Sequence, residues 1–211
     1  MKLRILSLSD EVVPLIYSPR VGVLYGNADI LISCGDLPYH YLDYVSSHIL
    51  APFYFVQGNH VPMDGTNSVQ SPITGHGGVD LHLHTIERNK VLLAGIGGSL
   101  QYSKGTFQFT QYQMWLNVYR LVPRLLLNKL RYRKYLDIFV SHAPPLGIHD
   151  QPDLPHRGIA AFLWFDRVFQ PRLHLHGHIH YYHPDTVIET MLGQTRIINT
   201  YRYQLTEIVI K

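Results

Sequence analysis

Short apolar runs that stop abruptly at polar residues recur along this chain of 211 residues. "LRILSLSD" ends at Asp10, and "DILISCGD" ends at Asp36. "PFYFVQGNH" ends at Asn59 and His60, "DIFVSHAPP" carries His142, and "RLHLHGHIH" ends at His178 and His180. Runs this short, rich in Ile, Leu, Val and Phe and bounded by Gly and Pro, predict buried strands. Helix-like stretches separate several of them: "YHYLDYVSSHIL", the segment from Gln111 to Leu136, and "IAAFLWFDRVF". Pro123 is expected to kink or split the long one. Strands alternating with helices predict an α/β fold with a largely parallel sheet.

Ligands bind such sheets beyond the carboxyl ends of the strands. All five polar clusters fall at that end, so the pattern brings Asp, Asp, Asn and three His to one rim of one sheet. Toward the C-terminus, "DTVIETML", "TRIINTY" and "YQLTEIVI" read as consecutive antiparallel strands of a second sheet packed on the first. Val61 to Gly78, rich in Gly, Pro, Ser, Thr and Asn, reads as a long loop. No linker or repeat divides the chain, so a single domain over 1–211 is expected.

Composition adds three constraints. The lone cysteine, Cys34, excludes an intramolecular disulfide and fits a reducing, cytoplasmic setting. "MKLRILSLSDE" starts like a signal peptide but turns polar within a few residues, and no stretch is long and apolar enough to span a membrane. The net charge of +3 is too small to argue a polyanionic partner from the total. Fourteen histidines are the unusual feature, and they invite metal or acid–base chemistry.

Ordered as "CGD", "QGNH", "SHAPP" and "HGHIH", the polar blocks resemble the signature of the calcineurin-like metallophosphoesterases. The resemblance runs from Asp10 to His180. It implies two packed mixed sheets flanked by helices, in an α/β/β/α sandwich. It also implies a hydrolase of phosphate monoesters or diesters, with two metal ions (Fe, Mn or Zn) about 3.5–4 Å apart and a metal-activated water as nucleophile. By the same resemblance Asp36 bridges the metals. Asp10 and His180 hold one, and Asn59, His142 and His178 hold the other. His60 acts in catalysis, as general acid or as electrostatic stabiliser of the leaving group. His174 and His176 alternate with Leu173 and Leu175, so both share one strand face. They are expected to be structural, or to orient a ligand from behind.

One block departs from the pattern. The family places His two residues after the first Asp, where this chain has Val12. Glu11 is adjacent but points to the opposite face of an extended segment. "CGDLPY" offers Tyr39 at a spacing similar to that of purple acid phosphatases, where the tyrosine binds ferric ion. A phenolate is a hard anionic donor, which favours iron at the site with Tyr39. The remaining alternative is a first site that is weak or empty. A second departure is Val61, where the family has an acidic residue.

Three further stretches invite a functional reading. "AGIGGSLQY" is a glycine-rich turn after a strand, read as a close-packed loop bordering the site. "PDLPHRG" carries His156 and Arg157, candidates for binding a substrate phosphate. The long helix bears Arg120, Arg124, Lys129, Arg131, Arg133 and Lys134 without an acid. It could meet nucleic acid or an anionic surface, although a solvated face is favoured, and its apolar residues leave room for an oligomer contact. A nuclease and a catalytically weakened binding or regulatory protein on the same fold are therefore the alternative readings.

Overall fold

The apolar runs form strands where their pattern places them. In the computed structural model, which describes residues 2–60 and 77–210, they build two mixed sheets. The first holds β1 (Lys2–Ser9), β2 (Ile30–Ser33), β3 (Phe53–Phe55), β4 (Val79–Asp80) and β13 (Arg202–Val209), in the order β13-β1-β2-β3-β4. The second holds β5 (Thr85–Arg88), β6 (Val91–Ile96), β9 (Ile138–Ser141), β10 (Leu173–His176), β11 (Glu189–Leu192) and β12 (Thr195–Asn199), in the order β11-β12-β10-β9-β6-β5. A small pair, β7 (Ser99–Leu100) and β8 (Gln108–Phe109), lies apart.

Side-chain alternation explains the layers. Leu3, Ile5, Ile32, Leu93, Val140 and Leu175 pack together in the core between the sheets. Their neighbours face outward. Leu8 and Leu31 meet the face covered by α1 (Arg20–Tyr25) and α2 (Tyr39–His48). Leu92 and Phe139 meet α3 (Gln111–Tyr132) and α4 (Ala160–Phe169). The result is the four-layer sandwich of helices, sheet, sheet and helices.

Three sequence expectations need correction. The polar clusters do not share the rim of one sheet. β1, β2 and β3 belong to the first sheet, and β9 and β10 to the second. An apolar run records that a strand is buried on both faces, but not which sheet it joins. Nor do the last three strands form a sheet of their own. β11 pairs antiparallel with β12, and β12 pairs parallel with β10. β13 crosses to the other sheet and pairs along the whole of β1, from Lys2↔Val209 to Ser9↔Arg202. Finally, of the kink or split expected at Pro123 the split does not occur: α3 runs through it as one helix. Pro123 is exposed, so the carbonyl left without its amide partner one turn earlier faces solvent. A capping box of Thr110 and Gln113 starts this helix, with both reciprocal bonds formed. Most of the loop expected from Val61 to Gly78, and Val61 itself, lie outside the described residues.

Candidate metal centre

The carboxyl ends of β1, β2, β9 and β10 meet at the seam between the sheets, and backbone contacts tie them together. The Asp10 amide donates to the Gly35 carbonyl (3.2 Å), and the Gly177 amide donates to the His142 carbonyl (2.9 Å). Three polar residues at the seam leave their strands with left-handed backbone: Asp10 (φ 66°), Asp36 (φ 55°) and His178 (φ 69°). Such conformations are costly for residues with a Cβ and gather at functional sites.

The glycines of the blocks create the space. A Cβ on Gly58 would lie 1.9 Å from Asp36 Oδ1, and one on Gly177 would lie 1.8 Å from Ser9 Oγ. Gly35 has φ +102°, and a Cβ there would approach Gly58 N to 2.5 Å and His142 Nδ1 to 2.9 Å. These glycines bring two backbones and a carboxylate together at one point.

At that point lone pairs converge. His142 Nδ1 is 2.7 Å from the Cys34 carbonyl, which can only accept. The ring therefore donates from Nδ1, and Nε2 faces inward, with a lone pair there when the ring is neutral. That Nε2 lies 3.0 Å from Asn59 Oδ1 and 3.2 Å from Asp36 Oδ2. The Asn59 amide nitrogen donates to the Tyr102 hydroxyl (3.0 Å), which fixes its oxygen toward His142. His178 Nε2 sits 2.8 Å from the Pro155 carbonyl, which leaves Nδ1 as the lone-pair nitrogen. Asp36, His142 and His178 each offer a ligand atom within 4.8 Å of the others. Buried acceptors this close repel unless a proton or a cation sits among them.

Electrostatics report the same crowding. Burial works against charge on His142, but the Asp36 carboxylate outweighs it, and its pKa is pushed up to about 9. Burial also resists charge on Asp36, yet His142, the His60 amide and the His60 charge together hold its pKa below the usual carboxylate value. Burial and His142 push His178 down to about 4.

The other half of the site is looser. Asp10 Oδ2 accepts the His178 amide (2.9 Å). His180 Nε2 stands 3.9 Å from Asp10 Oδ1, an ion-pair distance, and Asp10 raises its pKa. The His180 ring stacks on Tyr201 at 4.6 Å. Val12 packs onto the core beneath α1 and α2. Glu11 is taken by the Tyr201 hydroxyl and by Arg202 Nη2 (3.0 Å). Tyr39 opens α2, is partly buried, and shares with Asp36, Gly58 and His60 the wall of a small cavity of about 40 Å³. The His60 backbone amide donates to Asp36 Oδ1 (3.0 Å), and the residue is exposed.

His156 and Arg157 lie on the loop that carries Pro155. The His156 ring is 5.5 Å from that of His178 and bonds Asp153 (2.7 Å), while Arg157 Nη2 donates to the Pro152 carbonyl (3.3 Å). The glycine-rich turn packs tightly against the Gly-Asn-His block, the Gly98 amide donating to the Gln57 carbonyl (2.8 Å). His174 and His176 are buried on the outer face of β10. His174 bonds Asp166 (2.7 Å) and Ser141 (2.8 Å), and His176 bonds His149 (2.9 Å). Sequence reasoning missed Tyr102, although it lies in the quoted "AGIGGSLQY". The Cys34 and Pro155 carbonyls carry no sequence signal.

The donor set is what a cation needs: a carboxylate, an amide oxygen and two imidazoles with their far nitrogens anchored. The family profile described as calcineurin-like phosphoesterase matches residues 10–182. The chain belongs to the calcineurin-like phosphoesterase family. No curated protein sequence matches it significantly. Among solved structures it is similar to TT1561 of Thermus thermophilus, with TM-score 0.61, 18% identity, and coverage of 96% of this chain and 90% of that one. A hypothetical protein from the same organism aligns with TM-score 0.53 and 15% identity over 93% and 75%. GAP50, the anchor in the inner membrane complex of Plasmodium, aligns with TM-score 0.52 and 13% identity over 94% and 71%. Identities this low carry the fold alone.

Proposed function

We propose that the protein hydrolyses phosphate esters with two cations held at the seam. The observation behind this reading is the convergence of Asp36, Asn59, His142 and His178 lone pairs in a space kept open by motif glycines. Asp36, with Oδ2 beside His142 Nε2 and Oδ1 held by the His60 amide, is the proposed bridge. Asn59, His142 and His178 complete one position, and Asp10 and His180 contribute to the other. Tyr39 is the donor proposed in place of the histidine lost to Val12. Bound cations would neutralise phosphate charge and make water acidic enough to serve as nucleophile near neutral pH. His60, exposed beside Asp36, protonates or stabilises the leaving oxygen. His156 and Arg157 border the opening and meet the non-bridging phosphate oxygens.

A second reading, a binding or regulatory protein weakened in catalysis, draws on the packed Val12 and the engaged Glu11. The fold itself does not decide between them, since the anchor protein GAP50 shares it. Turnover of an aryl phosphate monoester and of a diester, with Mn(II), Fe or Zn against a chelated control, separates the two. Metal-restored turnover supports the hydrolase. Metal binding without turnover on either substrate supports the binding protein.

A further inference from the structure

Helix α3 carries two apolar stripes. Met114, Val118, Leu121 and Leu125 are buried against the second sheet. The second stripe steps through Tyr112, Leu116, Tyr119, Pro123, Leu126 and Leu130, at alternating four- and three-residue intervals. Two residues, about 200° around the helix, separate it from the first, so it lies on the opposite face. It is exposed: Tyr112 71%, Leu116 40%, Tyr119 52%, Leu126 50%, Leu130 75%, with Leu127 beside it at 63%. This spacing is the seam of a helix that packs against another helix. It runs from Tyr112 to Leu130, most of the 22-residue helix and about 27 Å.

The borders of the seam differ. Along one edge run Arg120, Arg124 and Arg131, all exposed; Arg120 also donates from Nη1 to Asn117 Oδ1 (3.3 Å), and Arg131 lies over the Tyr132 ring (5.3 Å), which leaves the rest of each guanidinium at the surface. Along the other, Trp164 of α4 packs on Trp115 (5.5 Å) and Tyr119 (5.8 Å). Lys129 is turned onto the Tyr135 ring and the Arg133 carbonyl. No acidic residue occurs anywhere in α3.

We propose that this face of α3 docks an amphipathic helix of a partner protein, with apolar residues at the same spacing and a row of carboxylates that meets Arg120, Arg124 and Arg131. Arginine forks suit carboxylates. A second copy of the chain is disfavoured, because α3 offers its own arginines no carboxylate: an antiparallel two-fold pair brings the arginine rows together, and a parallel pair sets them against the aromatic edge. A lipid surface is disfavoured, because its headgroups would call for bases along both edges, and here one edge is aromatic and backed by α4.

The test uses the whole protein and a synthetic helix with leucines at the seam spacing and glutamates beside them. The same peptide with lysines for glutamates is the control. The glutamate peptide should bind, more weakly as salt rises, and the lysine peptide should not. Leu126→Glu with Leu130→Glu should weaken binding on the order of tenfold or more. Arg120→Glu with Arg124→Glu should reverse the preference between peptides. These positions are exposed, so circular dichroism melting should be unchanged; if the arginine variant melts early, the leucine variant carries the test. The proposal is overturned by equal binding of both peptides or by no binding of either. Binding to phosphatidylserine vesicles that the same leucine variant abolishes overturns it in favour of a membrane. Dimerisation in sedimentation that this variant abolishes overturns it in favour of a second copy.

Discussion

His142 Nε2 stands 3.2 Å from Asp36 Oδ2, although Asp36 follows β2 of the five-stranded sheet and His142 follows β9 of the six-stranded one. The pair closes the seam between the sheets, and a cation there would be shared by both. Asp36→Asn keeps the shape but removes the charge. Metal affinity should fall on the order of 100-fold or more, with activity falling alongside. Calorimetric metal titration checks this, and a variant with full occupancy and turnover would sink the assignment.

Gly58 tests the space rather than the charge. A Cβ there would sit 1.9 Å from Asp36 Oδ1, so Gly58→Ala must displace the carboxylate. Metal affinity should drop roughly 10–100-fold while far-ultraviolet circular dichroism stays native. Unchanged affinity would show that the carboxylate position does not matter.

His60 holds Asp36 through its backbone amide, a bond that survives truncation of the side chain. His60→Ala should therefore keep metal while losing turnover by roughly 10²–10⁴-fold. The loss should be greatest for esters with poor leaving groups. An equal loss on good and poor leaving groups would point to electrostatic stabilisation instead, and metal loss would contradict both roles.

Tyr39 is the proposed substitute for the ligand that Val12 cannot supply. Loading with iron under oxidising conditions should colour the protein through phenolate charge transfer. Tyr39→Phe should bleach the band while lowering stability by no more than about 1 kcal/mol in denaturant titration. A band that persists in this variant would exclude Tyr39 as the donor.

His149 bonds His176 (2.9 Å) and Thr190 (2.9 Å) behind the site. Burial first, then His174, push its pKa to about 4, with Asp150 opposing. An unfolded histidine titrates near 6.5. Above that pH the ring is neutral in both states and its contribution to stability is full. As pH falls toward 4 the unfolded chain takes up the proton and the native one does not, so stability is lost. With solvent screening at a partly exposed ring, the loss is about 2 kcal/mol at most. Thermal melts from pH 7 to 4 should show it, and His149→Gln should flatten that limb. An equally steep limb in the variant would place the acid sensitivity elsewhere.

The strands, their polar ends and the glycines beside them could be read from the chain, because burial writes alternation and short apolar runs into it. Alternation placed His174 and His176 on one strand face, but it was the resemblance to the family's Gly-His-x-His block that set His178 and His180 apart from them. Folding added that β2 and β9 belong to different sheets, and that β13 returns to the edge of β1. A run of buried residues encodes its own burial but not its neighbour. For the same reason the Cys34 and Pro155 carbonyls, which orient His142 and His178, were invisible in the sequence. Every residue carries the same carbonyl, and only the folded seam selects which one faces which ring.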